Sequence, residues 1–324
     1  MIAVEHVPVL YREALEGLAL RPGGRYIDAT AGSGGHAAGI LEGSAPDGTV
    51  LALDTDAEAV ARAAAALHRF GSRARLVQAN FRDLRATATR EGWDVVDGIL
   101  FDLGVSSVQL GTPMRGFSFQ DDGPLDMRMD SSQGITAAEV VNRWTEADLA
   151  RILRDYGEEP LAARIAAAIV RERARSPFAS TAQLADLVAR VKGRRGRIHP
   201  ATMVFQALRI AVNGELESIA VALPQAIDLL RHGGRLAVIA FHSLEDRLVK
   251  RFMQEQSKEC RCPPAQLICT CARRPALRVI TRHAVMASSE EIAHNPRARS
   301  ARLRVAERLC YAEHGEIGSG REGG

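Results

Sequence analysis

The feature that most constrains this chain is a short apolar run, Arg25-Tyr26-Ile27-Asp28-Ala29-Thr30, that passes directly into the glycine-rich stretch Gly32-Ser33-Gly34-Gly35. A buried strand, a glycine loop and then a helix, here from about His36 to Glu42, is how a parallel-sheet unit opens. A second apolar run, Thr49 to Asp54, ends in a carboxylate 22 positions after Gly32, and the alanine-rich stretch Ala57 to Phe70 has high helix propensity. Arg75 to Ala79 and Asp97 to Leu103 supply a third and a fourth strand. This alternation predicts an α/β fold with a parallel sheet covered by helices on both faces.

After Leu103 the rhythm changes. Gly104 to Gly134 is a long run of turn formers with no period, and loops of that length in a compact fold usually serve function. From Thr136 to about Asn213 three segments, TEADLARILRDYG, PLAARIAAAIVRERAR and TAQLADLVARVKG, place apolar residues three and four apart, which predicts an inserted all-helical region. The sheet resumes with a helix over Glu215 to Leu230, a stop at His232-Gly233-Gly234 and a strand over Arg235 to Phe241. Leu277 to Thr281 and Ala301 to Glu307 alternate like an antiparallel closing pair. The expected organisation is 1–108 and 214–310 as two parts of one sheet domain, 109–213 as a mostly helical substrate-recognition insert, and 311–324 as a disordered Gly-rich tail.

The cofactor follows from the glycine loop. Open parallel sheets bind ligands at the carboxyl ends of their strands, where loop amides and helix N-termini converge. Asp54 suits a carboxylate that accepts hydrogen bonds from ribose hydroxyls, which fits either a dinucleotide or S-adenosylmethionine. Counting from Gly32, the sixth position of a dinucleotide fingerprint is Ala37. Asp28, just before the loop, would repel a pyrophosphate but could help to hold an amino-acid ammonium group, so S-adenosylmethionine is favoured. Phe81 follows the third strand, where its ring could cover an adenine or simply close the core.

Several runs carry a closer likeness: Asp102-Leu103-Gly104-Val105-Ser106-Ser107-Val108-Gln109-Leu110, Gly116-Phe117-Ser118-Phe119, Gly123 to Asp130 (GPLDMRMD), Tyr156-Gly157-Glu158-Glu159, His199-Pro200-Ala201-Thr202, Phe205 to Ile210 (FQALRI) and Phe241 to Arg247 (FHSLEDR). In these the chain resembles the RsmH (MraW) family over roughly Glu5 to Leu309. The resemblance implies a class I methyltransferase, with a Rossmann-like parallel sheet closed by one antiparallel strand. It implies methylation of N4 of a cytosine in the decoding region of 16S ribosomal RNA, within the small ribosomal subunit. It also implies that Gly34, Gly35 and His36 contact the methionine part of S-adenosylmethionine, Asp54 the ribose and Phe81 the adenine, with Asp102 and Gln109 near the reacting methyl.

In such a reaction Asp102, at the end of the fourth strand, is the candidate catalytic acceptor for the amine N–H. His242, leaving the fifth strand beside Ser243, either contacts the base or its phosphate or caps the next helix. The chemistry requires no metal, and no metal ligand is assigned. Cys260-Arg261-Cys262 and Cys269-Thr270-Cys271 leave zinc open, although one residue between paired cysteines is tighter than the usual two to four. A net charge of +3 decides little about an RNA partner, but Arg190, Lys192, Arg194, Arg195, Arg197 and Arg209 lie in a span, Leu187 to Gly214, without acidic residues. Arg273, Arg274, Arg278, Arg282, Arg297, Arg299, Arg302 and Arg304 extend that expected phosphate-binding surface.

Composition fits a soluble globular protein, with 46% hydrophobic and 25% charged residues. The N-terminus carries Glu5 and His6 without a basic leader, and no apolar run approaches the roughly 18 residues of a membrane span, so a cytoplasmic location without membrane contact is expected. A homodimer stays open. The competing readings are a class I methyltransferase acting on another nucleic acid or a protein, and a non-catalytic RNA-binding factor that kept the fold.

Overall fold

The computed structural model describes residues 8–193, 199–260, 262, 270–271 and 274–309. The expected tail, Glu5, Arg194, Arg195, Arg197, Cys269 and Arg273 lie outside the described residues.

In chain order the elements are α1 (Tyr11–Leu18), β1 (Arg25–Asp28), α2 (Gly35–Gly43), β2 (Thr49–Asp54), α3 (Ala57–Leu67), β3 (Ala74–Gln78), α4 (Leu84–Arg90), β4 (Val96–Asp102) and α5 (Ser107–Gly111). Next come α6 (Ala137–Arg143), α7 (Glu146–Asp155), α8 (Ala162–Arg173), α9 (Thr181–Lys192), α10 (Thr202–Asn213) and α11 (Glu215–Leu229). The chain then forms β5 (Leu230–Ala240), α12 (Ser243–Gln256), β6 (Leu277–Val279), β7 (Val285–Met286), α13 (Ser289–His294) and β8 (Arg302–Arg308).

The sheet runs β3-β2-β1-β4-β5-β8-β6, with β7 also on β8. Strands β1 to β5 are parallel, and β8 closes antiparallel against β5. Its order reverses direction between β1 and β4, which opens a crevice at their carboxyl ends. Both faces are covered: Ile99 and Phe101 of β4 pack under α4 and α11, and Leu100 packs on the opposite side with α1 and α2. Burial on both faces explains why these strands read as continuous apolar runs instead of alternating ones.

Helices α6 to α10 build a separate apolar core that also takes in Phe117, Leu125 and Met127. The segment Gly104 to Gly134, expected as a loop throughout, contains the short helix α5 and a 3-10 turn over Pro113–Arg115. Gly116 there has φ +69°, and a Cβ would lie 2.1 Å from the Pro124 carbonyl, so only glycine fits.

The fifth strand begins earlier than expected. Leu230 already pairs with Val96, while Arg235 pairs with Gly98, so 231–234 bulges outward opposite Asp97, which Arg231 binds. The glycines that read as a helix stop instead serve an irregularity inside the strand; Gly233 has φ +75°. No helix among the described residues is long and apolar enough to cross a membrane.

Candidate active site

The crevice at the switch point is an open cleft of about 940 Å³, lined on its sheet side by Ala29, Thr30, Gly32, Asp54, Phe81 and Asp102. Asp54 ends β2 with its carboxylate engaged at the loop: Oδ2 accepts from the Gly32 amide at 2.8 Å, and Oδ1 from the Asp56 amide at 2.9 Å. Burial pushes its pKa up, opposed by those two amides. Phe81 is half-buried and meets Phe101 edge-on at 5.7 Å, so it both closes the core and walls the cleft.

Asp102 is fixed through its backbone, whose N–H donates to Thr30 Oγ1 at 2.6 Å. Its Oδ2 lies 3.6 Å from His36 Nε2, an ion-pair distance longer than a hydrogen bond. Its Oδ1 is buried and has no hydrogen-bond partner. A buried carboxylate oxygen without a partner is costly unless a ligand supplies the donor.

Gly34, Gly35 and His36, expected to touch the cofactor, do not line the cleft. They lie at the start of α2, packed inward: a Cβ on Gly34 would meet Ala63 at 3.3 Å, and one on Gly35 would meet Pro8 at 2.5 Å. His36 is 4% exposed, stacks on Tyr11 at 6.0 Å and reaches the site only through Asp102. Burial disfavours its charged form, but Asp102 and then Asp28 outweigh this and raise its pKa.

Asp28 does not line the cleft either: it is fully buried behind the wall, where Oδ1 accepts from the Thr30 amide at 3.2 Å and Oδ2 has no hydrogen-bond partner. Burial pushes its pKa up to about 6, with His36 pulling the other way. The folded chain therefore binds a proton that the unfolded chain has released between pH 3.8 and about 6. The stability that Asp28 contributes must fall as pH rises through that window, by up to about 3 kcal/mol. Thermal melts of Asp28→Asn against the parent should show the parent losing ground between pH 4 and 6; parallel curves would refute the assignment.

Gln109 lines the cleft, but its amide is engaged in structure. Ser106 and Gln109 form a capping box on α5, and Gln109 Nε2 donates to Asp56 Oδ2 at 2.9 Å. Arg115 Nη1 reaches the same oxygen at 2.8 Å while its Nη2 holds the Arg128 and Met129 carbonyls. Asp56 itself caps α3 and was not singled out in the sequence, although an Asp two residues past a strand end and just before a helix is a recognisable N-cap.

His242 takes the capping alternative. Its Nδ1 accepts from the Glu245 amide at 3.4 Å, while Glu245 Oε2 accepts from the Phe241 amide at 2.8 Å and the His242 amide at 3.2 Å. It does not line the cleft; Glu245 does, with Asn213, Glu215 and Ser218, none of them given a role from sequence. Glu215, His242 and Glu245 are close enough to suggest a metal site. Arg209 already supplies the cation there, binding Glu215 through two bonds of 2.8 and 2.7 Å. Arg209 is thus removed from the expected phosphate-binding surface.

That surface is smaller than the charge count suggests. Lys192 pairs with Glu159, Arg278 with Glu307, and Arg302 and Arg304 with Asp246. Arg190, Arg282, Arg297 and Arg299 remain exposed.

The model of the MraW methylase family matches residues 3–309. The chain belongs to the MraW methylase family. It is 58% identical over 311 residues to the ribosomal RNA small subunit methyltransferase H of Thermomicrobium roseum, covering 96% of this chain and 95% of the relative. The proteins of the same description from Dehalococcoides mccartyi and Geotalea uraniireducens are 49% identical over 323 residues and 52% identical over 307. These alignments cover 99% and 94% of this chain, and 92% and 98% of the relatives. As a class I methylase of this family the protein uses S-adenosylmethionine. The cleft fits that cofactor: a carboxylate at the end of β2 for a ribose, the Phe81 ring for a base, and an unpartnered Asp102 oxygen near the switch point.

Proposed function

We propose that this MraW methylase transfers the methyl group of S-adenosylmethionine to N4 of a cytosine in the decoding region of 16S ribosomal RNA, in the bacterial cytoplasm and within the small subunit. The observation that carries the chemistry is Asp102 Oδ1, buried, partnerless and belonging to a residue of the cleft wall. The descriptions of the relatives support ribosomal RNA as the polymer. The likeness in the motifs supports the cytosine amine.

When bound, the cofactor supplies an electrophilic methyl group on a sulfonium. The chain's residues do the rest. Asp54 holds the ribose, and Phe81 covers the adenine. Asp102 accepts an N–H of the exocyclic amine, whose lone pair is otherwise delocalised into the ring. As the new N–C bond forms and the C–S bond breaks, the same carboxylate takes up the amine proton. His36 Nε2 lies 3.6 Å from the other carboxylate oxygen, where a protonated ring favours the charged carboxylate. Since the methyl must sit at contact distance, the base has to leave its stack and enter the cleft.

The test is methyl transfer from labelled cofactor to small subunits and to naked 16S RNA, followed by mapping of the modified nucleotide by mass spectrometry. N4-methylcytidine in the decoding region is expected. Label in DNA, in protein or at a ring carbon would refute the proposal.

A further inference from the structure

Outside the cleft, a group of side chains that the methyl-transfer chemistry does not use stands on the connection between α12 and β6. The connection 257–276 leaves α12 and returns to β6, and its two ends are tied where the Ala276 amide donates to the Gln256 carbonyl at 2.8 Å. Cys260, Cys262 and Cys271 lie on it, with their sulfurs all within 4.8 Å of one another.

The spacing of these sulfurs separates two chemistries. Cys260 Sγ and Cys271 Sγ are 3.8 Å apart, whereas a disulfide holds its sulfurs at about 2.05 Å. Zinc binds thiolates at about 2.3 Å in a tetrahedron, whose edge is therefore about 3.8 Å. The Cys262 amide donates to Cys260 Sγ at 3.3 Å, the kind of backbone contact that supports a thiolate ligand from behind.

We infer that Cys260, Cys262 and Cys271 form a structural zinc site that clasps the connection between α12 and β6. Three thiolates select a soft or borderline divalent cation over magnesium or calcium, and zinc takes the tetrahedral arrangement without redox change. Only one residue separates Cys260 from Cys262, so their sulfurs occupy neighbouring corners, and Cys271 returns to a third corner from the other end of the excursion. The fourth corner belongs to a water or a further donor. Binding removes a proton from each thiol and ties Cys260 and Cys262 to Cys271 across the connection, so the metal contributes its binding energy to local order.

The test uses the full chain, expressed with zinc and purified without chelator, and reads metal by plasma mass spectrometry alongside methyl transfer. About one zinc per chain is expected, at least tenfold less in the Cys260→Ser/Cys271→Ser double variant, and an unchanged amount when the fifth cysteine of the sequence is replaced in Cys310→Ser. Cobalt replacement should give thiolate charge-transfer bands and the intense visible bands of a tetrahedral site. Parent protein without zinc, or zinc retained by the double variant, would overturn the inference. Because the parent's metal content is read directly, a variant that folds poorly does not rescue the idea. An RNA assay that fails leaves the zinc result standing, so the two readings fail separately.

Discussion

Asp102→Asn should lower kcat for methyl transfer by about 100- to 1000-fold, the usual effect of losing one preorganised group at a reacting centre. Cofactor affinity, measured by calorimetry, should change only a few-fold. The substitution keeps the shape of the side chain, and the bond that fixes the strand end uses the Asp102 backbone amide and Thr30 Oγ1, neither of which changes. Asp102 Oδ1 is a buried oxygen without a hydrogen-bond partner, and replacing the carboxylate by an amide removes the negative charge and the site that takes up the amine proton. A second signature separates this from general damage. With the charge gone, His36 loses the larger of the two carboxylate interactions that raise its pKa, which, followed by NMR, should fall from its raised position. A variant that retains more than about a tenth of the parent's kcat would exclude Asp102 from the reaction.

Arg209→Met should cost the fold about 3–5 kcal/mol, the range seen when one partner of a buried ion pair is removed. Arg209 binds Glu215 through two short bonds and lies 3.9 Å from Glu245, with all three side chains largely shielded from water. Methionine would fill most of the volume but leave two carboxylates facing each other in a poorly solvated space. Urea unfolding should show the loss as a lower midpoint with little change of slope. A loss below about 1 kcal/mol would mean that water or a neighbour replaces the guanidinium. The salt dependence of RNA binding should not change, since Arg209 is unavailable to phosphate.

The sheet was legible in the sequence wherever burial on both faces left an unbroken apolar run, as in β1, β2 and β4, and where a strand end coincided with a glycine loop or a carboxylate, as at Gly32 and Asp54. The antiparallel pairing of β6 with β8 was legible for a related reason, because alternation is strong there. The short helices α1 and α4 went unread. The first covers too few residues for its period to stand out, and the second, LRATATR, contains two β-branched threonines that weaken its propensity.

Side-chain direction was the harder part. Asp28 and Asp54 both end strands before the same crevice, yet one is sealed behind the wall and the other lines it. His242 reads in sequence as either a reactive group or a helix cap, and only the folded turn shows that its ring is claimed as the cap. Arg209 reads as part of a basic run because its partners, Glu215 and Glu245, follow the run and are brought back only by folding. Charge counted along a chain ignores pairings of this kind.

Asn213 closes the helical excursion at its base: its Oδ1 accepts from the Met129 amide at 2.7 Å, and its Nδ2 donates to the Met127 carbonyl at 2.8 Å. The entry segment at Met129 and the end of α10 are thereby buttoned together beside the crevice, 84 positions apart along the chain. Closing a loop grows harder only slowly with its length, by about 0.6 kcal/mol per doubling. Helices beyond that button can be trimmed, extended or exchanged to suit a differently shaped polymer while the donor pocket below keeps its dimensions, which makes this clasp the natural seam for grafting a new reading head onto an old catalytic base.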